Sequence, residues 1–586
     1  MDAFVSSFSA IIDAIDSFVW GWVMIVLLLG THLIMTIRTR FIQRKIGTAI
    51  KLSVSNTDAD AEGDVSQFGA LTTALAATIG TGNIVGVATG LIAGGPGAVF
   101  WMWITGVFGI ATKYAETYIS VKHRVKDSNG EMLGGAMYAL ERGLKQKKLG
   151  RILAILFAVF AFIASFGIGA SVQSNSLTGV VTGYIPGLEG ESMFGAQALI
   201  GVLLMILVGI VIFGGIKSVT RVTEKLVPVM ALLYAAGCIV IIVMNWEFVG
   251  EAIGLILTCA FTGQAAFGGA VGSGVALALQ YGFKRGLFSN ESGLGSAPLV
   301  AANATTKNPA RQALVSMTGT FWDTVIICAI TGIMLVSTVL ANPELEARIL
   351  YSGNTGAVSS YAAEVGQDTW AVNPADAFGE SWDNFSDEMK GKIIAWQGQE
   401  YANANNMSVD DVDLATAVPA YAAASADVQG FAQELKNTSF LKAAADLTTS
   451  AFSAIPVLGP IVLAVGMVLF TYSTMLGWAA YGNRAVMYLF GRKGGQKRGK
   501  SAIRIYQIVF LLFVLWGCLG GGELVWNISD ITNALMAVPN CIAVLALGGV
   551  IVAGTKHYVY DKNLDEIDDS PIPTVEELEA ERQKSA

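Results

Sequence analysis

The chain has 586 residues, of which 53% are hydrophobic and only 14% are charged. Soluble globular proteins carry about 25% charged residues, so this composition excludes a soluble enzyme and a disordered chain and indicates several membrane crossings. The formal net charge is −8, which is unexpected for a protein that lies against anionic lipid.

The negative charge is concentrated in two segments. Residues 341–450 carry a net charge of −11 and residues 555–586 carry −5, whereas the rest of the chain is basic, with a net charge of +8. The acidity therefore belongs to one insertion and one tail. The insertion also contains Trp370, Trp382 and Trp396, which is enough apolar material for a small folded lid.

Eleven apolar runs are long enough to cross a bilayer, which takes about 20 residues of helix. We therefore predict an all-α membrane protein with eleven transmembrane helices. The predicted spans lie near residues 18–37, 68–93, 97–121, 152–180, 197–216, 226–245, 250–282, 311–340, 452–481, 503–520 and 525–554.

Basic residues alternate from loop to loop. The loops after odd-numbered spans are basic, such as RTRFIQRK after the first and GRKGGQKRGK after the ninth, whereas the loops between, such as GGPGA, carry almost no Lys or Arg. Because basic loops stay in the cytoplasm, this alternation predicts a multi-pass protein of the cell inner (plasma) membrane. Its N-terminus and the 341–450 insertion are expected outside, and its C-terminus in the cytoplasm.

Two spans have glycine-rich, polar centres. These are TIGTGN at Thr78–Asn83 in the second span and FTGQAAFGG at Phe261–Gly269 in the seventh. Glycine costs up to about 1 kcal/mol in a helix interior, so both clusters favour a broken helix. A half-helix N-terminus suits a carboxylate, and unwound carbonyls and hydroxyls suit sodium. The alternative is that these glycines only allow close helix packing.

Two broken spans that lie five spans apart are typical of an inverted-repeat secondary transporter. An odd number of spans in each repeat places the two repeats in opposite orientations, which predicts a five-plus-five inverted repeat after one N-terminal helix. The predicted segments are the N-terminal helix and basic loop (1–67), the first repeat (68–245), the second repeat (246–340 and 451–554), the acidic insertion (341–450) and the acidic tail (555–586).

Three stretches carry a family resemblance. GTGNIVGVATGLIAGGPGAVFWMWITGVFG (80–109), GLFSNESGLGSAPLVAANA (286–304) and FTYSTMLGWAAYGNRAVMYLFG (470–491) resemble the alanine/glycine:cation symporters, also called sodium:alanine symporters. The resemblance extends from about residue 15 to 555, apart from the 341–450 insertion. It implies sodium-driven uptake of alanine or glycine, often including D-alanine, by a fold similar to that of the neurotransmitter:sodium symporters.

The resemblance also implies where a small zwitterionic substrate binds. Its carboxylate is expected on the amides of Thr81 and Gly82, and its ammonium near the Phe261 carbonyl and the Thr78 and Gln173 side chains. The alternative for Gln173 is an ordinary helix–helix hydrogen bond. The expected substrate-binding residues, including three aromatic walls, are Thr78, Thr81, Gly82, Gln173, Phe261, Phe267 and Trp478.

Two sodium sites are implied by similarity with the wider fold. One would use the Thr78 carbonyl, the Asn83 side chain and Thr262. A second would use the carbonyls of Ala76 and Ile79 and the hydroxyls of Ser473 and Thr474. The alternative for these hydroxyls is a bond back to their own helix. No cofactor is expected beyond sodium as a co-transported ligand.

Charged residues inside predicted spans are costly and therefore functional suspects. Asp323 lies within the eighth span, and Lys113 and Glu116 lie within the third. Asp323 is a candidate ligand for an additional cation or a proton carrier. The alternative is a structural ion pair or a water-lined cavity.

Together these features predict a sodium-coupled symporter of a small neutral amino acid that works by alternating access. No P-loop is present, so ATP-driven transport is not expected, and the protein is not predicted to be an enzyme. The alternatives are a proton-coupled symporter and a transport-inactive amino-acid sensor. Expected partners are a small neutral amino acid, Na⁺ and the lipid bilayer, without nucleic acid; the sequence does not give an oligomeric state.

Overall fold

The computed structural model describes most of the chain. The described residues are 18–55, 61–183, 190–262, 274–342, 352–405, 407–436, 444–491, 495–520 and 523–585, together with 12, 15 and 345. Within these ranges the fold is almost entirely helical.

The helices before the insertion are α1 (Trp22–Arg38), α2 (Ile46–Ser53), α3 (Gln67–Thr78), α4 (Val87–Gly94), α5 (Gly97–Lys122), α6 (Ala136–Gly143), α7 (Lys147–Phe166), α8 (Val172–Gly183), α9 (Gly190–Ile212), α10 (Gly215–Met244), α11 (Trp246–Thr262), α12 (Gly274–Asn290), α13 (Pro298–Ala301), α14 (Pro309–Thr320) and α15 (Ala329–Ala341). Those of the insertion are α16 (Ser352–Val365), α17 (Pro374–Phe378), α18 (Asp387–Ala404), α19 (Leu414–Ala417), α20 (Pro419–Ala423), α21 (Ala426–Leu435) and α22 (Ala444–Ser453). The last helices are α23 (Leu458–Phe490), α24 (Gly495–Cys518), α25 (Glu523–Ala546), α26 (Gly548–Gly554) and α27 (Val575–Ser585).

Wider or tighter helical turns interrupt this series. Turns of π-helix occupy Gly82–Gly86, Gly167–Ser171, Phe321–Cys328 and Thr555–Tyr560, and turns of 3₁₀-helix occupy Ile42–Lys45, Gly379–Asn384 and Val409–Asp411. Such π turns in longer helices frequently mark functional sites. Three of the four lie inside predicted membrane spans.

The described residues contain seven helices that are long and apolar enough to cross a membrane, or up to nine if each of two bent helix pairs is one span. A multi-pass membrane protein is thus confirmed, whereas the predicted number of eleven spans stays a prediction. Two predicted spans fall outside the count. The third corresponds to α5, whose second half carries Lys113 and Glu116, and the seventh is interrupted by 263–273, which lie outside the described residues.

The first predicted break is confirmed. Helix α3 begins after Ser66, whose hydroxyl accepts a hydrogen bond from the Gly69 amide, and it ends at Thr78. Ile79 is extended, and the helix resumes through the π turn and α4 at an angle of 53°. The second predicted break, at 261–269, lies mostly outside the described residues.

One end of the bundle carries a small β-hairpin and is called the hairpin end. Strands β1 (Val125–Lys126) and β2 (Met132–Leu133) pair antiparallel between α5 and α6. The acidic tail lies on the same end, where Asp568 pairs with Lys122 and Asp565 pairs with Arg311, each at 2.7 Å. The tail therefore connects the ends of α5 and α14.

The described part of the insertion is helical and has its own small core, formed by α18 to α21 around Ile394, Val412 and Val418. Other insertion residues belong to a buried apolar cluster that they share with membrane helices such as α10. Helix α22 packs against the π turn Gly82–Gly86, and Phe452 stacks on Tyr234 of α10 with 5.7 Å between ring centroids. The insertion thus covers the broken second span on the side opposite the hairpin end.

Candidate substrate and ion site

The broken second span is fixed by close contacts with α23. A Cβ atom at Gly477 would lie 2.7 Å from the backbone nitrogen of Ala77, so the two backbones touch where α3 approaches its end. A Cβ atom at Gly80 would lie 2.6 Å from the Thr474 hydroxyl. Glycine is required at Gly477, where the obstacle is backbone, whereas at Gly80 an added Cβ would force the Thr474 side chain to shift.

Asn83 is fully buried, and both the oxygen and the nitrogen of its side-chain amide form hydrogen bonds. Its Oδ1 accepts a hydrogen bond of 2.9 Å from the Gly80 amide, which closes the turn after the break. Its Nδ2 donates to Asp323 Oδ1 at 2.8 Å and to the Ser289 hydroxyl at 3.1 Å. Asn83 therefore joins the second span to the end of α12 and to the middle of the eighth span.

Asp323 is the second centre of this cluster and is also fully buried. It lies in the π turn that follows α14. Its Oδ2 accepts hydrogen bonds from the Ser289 hydroxyl at 2.8 Å and from the Thr324 hydroxyl at 2.6 Å. Among the described side chains, the partners of this carboxylate are thus an amide and two hydroxyls. Within the described part of the chain, Asp323 therefore does not form the ion pair that the sequence left open.

This polar cluster, defined by Asn83, Ser289, Asp323 and Thr324, has the composition of a site for a hard cation. It offers a carboxylate, two hydroxyls and the nearby Asp323 carbonyl, 3.2 Å from Asn83 Nδ2. Oxygen atoms are the ligands that hard cations prefer. A buried carboxylate without a cationic partner is costly, and a bound cation offsets that cost.

A second polar group adjoins the break on the side of the fourth span. The Thr81 hydroxyl donates to Gln173 Oε1 at 3.4 Å, and Gln173 Nε2 donates to the Ile168 carbonyl at 3.0 Å, beside the π turn Gly167–Ser171. Trp478 packs against Gly169, where an added Cβ would lie 2.3 Å from the Trp478 Cβ. The structure therefore brings Thr81, Gln173 and Trp478 to one region.

Trp478 is only 1% exposed, yet its indole N–H has no hydrogen-bond partner among the described residues. An unpartnered buried donor costs free energy unless a ligand or water accepts its bond. Thr78 and Gly82 are buried nearby on the break itself, and the Thr78 hydroxyl bonds back to the Leu75 carbonyl at 3.4 Å. This arrangement suits a small polar ligand.

The residues predicted for a second sodium ion lie along the contact between α3 and α23. Ala76 and Ile79 are buried, as are Ser473 and Thr474. Both hydroxyls donate back to the Phe470 carbonyl, at 2.9 and 2.8 Å. This is the alternative that the sequence left open for Ser and Thr in membrane helices. Thr474 nevertheless lies beside the break, next to Gly80.

Two of the predicted residues are not brought to these groups. Phe261 is 60% exposed and packs against Phe100 and Trp101, with ring centroids 5.0 and 5.6 Å away. Thr262 is exposed, and its hydroxyl donates to the Thr258 carbonyl at 2.7 Å. Phe267 lies outside the described residues. The roles of these three residues stay predictions.

Sequence reasoning missed Ser289 and Thr324 and left Asp323 undecided. Ser289 belongs to the SNES stretch that carried the family resemblance, and Thr324 directly follows Asp323 in an otherwise apolar run. Two adjacent polar residues in the middle of a span were an available signal. Their meeting with Asn83 was not, because Asn83 and Asp323 are 240 residues apart in the chain.

Comparison with known proteins decides the family. The model of the sodium:alanine symporter family matches residues 5–371 and 420–570. The chain belongs to this family. The sodium:alanine symporters are transporters rather than enzymes, which confirms that prediction and supports sodium as the co-transported ion. Within the insertion only residues 372–419 are unmatched, which is fewer than the 341–450 over which the resemblance was expected to stop.

Several relatives of this sodium:alanine symporter family member match nearly the whole chain. The sodium/alanine symporter AgcS of Methanococcus maripaludis is 40% identical over 94% of this chain and 97% of the relative. An uncharacterized transporter of Haemophilus influenzae is 38% identical over 96% and 99%. The probable sodium/glutamine symporter GlnT of Bacillus subtilis is 29% identical over 94% and 91%.

Two solved structures align less closely. MhsT in complex with L-phenylalanine has a TM-score of 0.47 at 15% identity, over 86% of this chain and 95% of that one. A substrate-bound, outward-open Na⁺-coupled sialic acid symporter has a TM-score of 0.45 at 11% identity, over 93% of each chain. These scores are too low to establish a shared fold.

Proposed function

We propose that this member of the family couples sodium to the uptake of a small neutral amino acid, alanine or glycine and possibly D-alanine. The observation that carries the proposal is the fully buried contact between Asn83 at the break and Asp323 in the eighth span. It places a carboxylate, hydroxyls and an opened helix together, which is what a co-transported cation needs.

In this proposal the polar cluster of Asn83, Ser289, Asp323 and Thr324 binds one sodium ion. The carbonyls of Ala76 and Ile79 and the hydroxyls of Ser473 and Thr474 are the proposed ligands of a second. Because an ion in the cluster lies against the break, its binding stabilises the bent helix on which the substrate also depends. Sodium and substrate then favour the same conformation, which is the physical basis of coupling.

The substrate is proposed to lie on the other face of the break. The half-helix that begins at Thr81 and Gly82 directs the positive end of its dipole toward the substrate carboxylate. Gln173 offers a side-chain acceptor to the ammonium, and Trp478 limits the space left for the side chain. A small amino acid suits this arrangement because Trp478 is almost fully buried, with its Cβ packed against Gly169, so that its ring takes up space in this region.

Uptake of labelled L-alanine into proteoliposomes tests this function. We expect accumulation with an inward sodium gradient and none when choline replaces sodium at fixed pH. Unlabelled glycine, D-alanine and glutamine, added as competitors, then rank the substrates. Accumulation without sodium in a proton gradient would favour the proton-coupled alternative, and binding without accumulation would favour the sensor.

The Asp323→Asn variant tests the ion site in the same assay. Loss of the carboxylate should raise the sodium concentration for half-maximal uptake at least about tenfold. Asp411→Asn is the matched control, because Asp411 is exposed in the insertion. Unchanged sodium dependence in Asp323→Asn would remove the polar cluster from the proposal.

A further inference from the structure

Below the polar cluster, toward the hairpin end, Glu116 of α5 forms the centre of a second buried network. Its Oε2 accepts three hydrogen bonds, from the Gly293 amide at 3.1 Å, the Gly295 amide at 3.2 Å and Asn540 Nδ2 at 2.8 Å. Its Oε1 lies 3.2 Å from Lys113 Nζ. Glu116 and Asn540 are each only 1% exposed.

The three donors to Oε2 hold an irregular segment in place. Residues 291–297 connect α12 to α13 and are buried, although they form no regular helix. Gly293 and Gly295 have φ angles of +90° and +80°, in the left-handed region that favours glycine. Buried backbone amides in such a segment need hydrogen-bond acceptors, and the Glu116 carboxylate is the acceptor for two of these amides.

Two other side chains strengthen the same anchor. Asn540 of α25 bridges Glu116 and the Gly293 carbonyl, the latter at 2.9 Å. Lys113 Nζ donates a hydrogen bond to the Glu291 backbone carbonyl at 3.1 Å and also forms the ion pair with Glu116. The segment is thus tied to α5 and α25 by charge-assisted hydrogen bonds, which are about twice as strong as neutral ones.

The anchored segment joins the two halves of the polar cluster. Ser289, whose hydroxyl donates to Asp323, lies at the end of α12 immediately before it. Within the segment, the Ser292 hydroxyl lies 2.9 Å from the Thr320 hydroxyl, in the last turn of α14 before Asp323. A displacement of Gly293 would therefore move Ser289 and the start of the Asp323 turn relative to each other.

We infer that Glu116, together with Asn540, is a positioning residue for the cation site: it holds residues 291–297 so that Ser289 and Asp323 stay at ligand distance. It touches neither ion nor substrate and acts through Ser289. The inference rests on the proposed sodium site. Residues that orient metal ligands typically change metal affinity about 10- to 100-fold when they are replaced.

Glu116→Gln is the informative variant because it keeps the size of the side chain. A glutamine offers one oxygen where the carboxylate offers two, so it cannot serve both the three donors and Lys113. We expect the apparent sodium dissociation constant to rise about tenfold or more. It is measured on the purified protein as the sodium dependence of its thermal unfolding midpoint, which needs no transport.

A double-mutant cycle separates positioning from a general loss of stability. If Glu116 acts through Ser289, then Glu116→Gln should raise the sodium constant no more than about twofold in a Ser289→Ala background. If Glu116→Gln raised the sodium dissociation constant by the same factor with Ser289 present and with Ser289→Ala, the inference would be overturned. Glu364→Gln, an exposed change of the same kind in the insertion, should leave the sodium constant unchanged.

Asn540→Ala provides a second route if Glu116→Gln does not fold. It removes one hydrogen-bond donor to Glu116 and the hydrogen bond to the Gly293 carbonyl. The resulting rise of the sodium dissociation constant should likewise shrink in a Ser289→Ala background. A sodium constant in Asn540→Ala equal to that of the wild type would contradict the inference. Failure of alanine uptake with sodium binding intact would instead count against the proposed function alone.

Discussion

Single residues decide how closely the broken span approaches its neighbour. Gly477 allows the backbones of α23 and α3 to touch at Ala77, and the next residue along α23 is Trp478. The sequence indicated the polar stretch before Trp478, but not that a glycine there is a contact point. Glycines occur throughout membrane helices, so only the tertiary structure distinguishes the ones that are crowded.

Gly477→Ala should therefore damage the site through packing alone. The added methyl group would meet the Ala77 backbone at 2.7 Å, and such overpacking costs about 1–3 kcal/mol of unfolding free energy. We expect a lower thermal unfolding midpoint and weaker alanine uptake. Gly250→Ala is the control, since no atom lies within 4 Å of its added Cβ. Equal behaviour of the two variants would contradict this packing argument.

At the scale of elements, the β-hairpin at the hairpin end links α5 to α23. Glu131 of the hairpin turn pairs with Arg484 of α23 at 2.7 Å, and Arg484 is 8% exposed. Hairpins of this size carry too few residues for their pattern to predict them, and this one was not predicted from the sequence. Its partner, Arg484, lies 353 residues further along the chain.

This ion pair predicts a pH-dependent stability. The Arg484 guanidinium lowers the pKa of Glu131 below its usual value, so the charged pair stabilises the folded protein above that usual value. The contribution disappears as the pH falls through the lowered pKa. Glu131→Gln should thus reduce the unfolding free energy at pH 7 by at most about 1 kcal/mol.

The measurement compares thermal unfolding midpoints of the wild type and Glu131→Gln at pH 7 and near pH 4. We expect the difference between them to shrink at the lower pH, because protonated Glu131 resembles glutamine. Glu364→Gln should match the wild type at both values. A difference that grows as the pH falls would show that the pair does not stabilise the fold through the charged form.

At the scale of the whole molecule, the two acidic segments lie at opposite ends of the membrane body. The insertion packs on the broken span through α22, and the tail spans the hairpin end through Asp565 and Asp568. Both therefore serve as covers of the same basic body. Their charge explains why the chain as a whole is acidic although the loops between its predicted spans are alternately basic and nearly free of Lys and Arg.

Cysteine labelling tests the orientation that this pattern predicts. All five native cysteines are buried, so labelling can be assigned to a single cysteine that is introduced at an exposed position. In intact cells, an impermeant maleimide should label Asp411→Cys in the insertion and leave Asp569→Cys in the tail unlabelled until the membrane is opened. Labelling of the tail in intact cells would reverse the predicted orientation.

Much of the fold was predictable because its causes are local. Apolar runs of span length give membrane helices, and the glycines between Thr78 and Asn83 give the first break, which the structure confirms. The family followed from long motifs around that break. The number of eleven spans, the inverted repeats and the roles of Phe261, Phe267 and Thr262 remain predictions.

Local features of the sequence predicted a helical membrane protein with a broken span, an acidic insertion and an acidic tail, because composition and apolar runs involve only neighbouring residues. Which remote side chains meet became clear only from the tertiary structure. Asp323 bonds to Asn83, 240 residues away, and Glu116 bonds to Gly293, 177 residues away. Such contacts depend on matching hydrogen-bond donors and acceptors on helices that are far apart in the sequence, so a local sequence pattern cannot predict them.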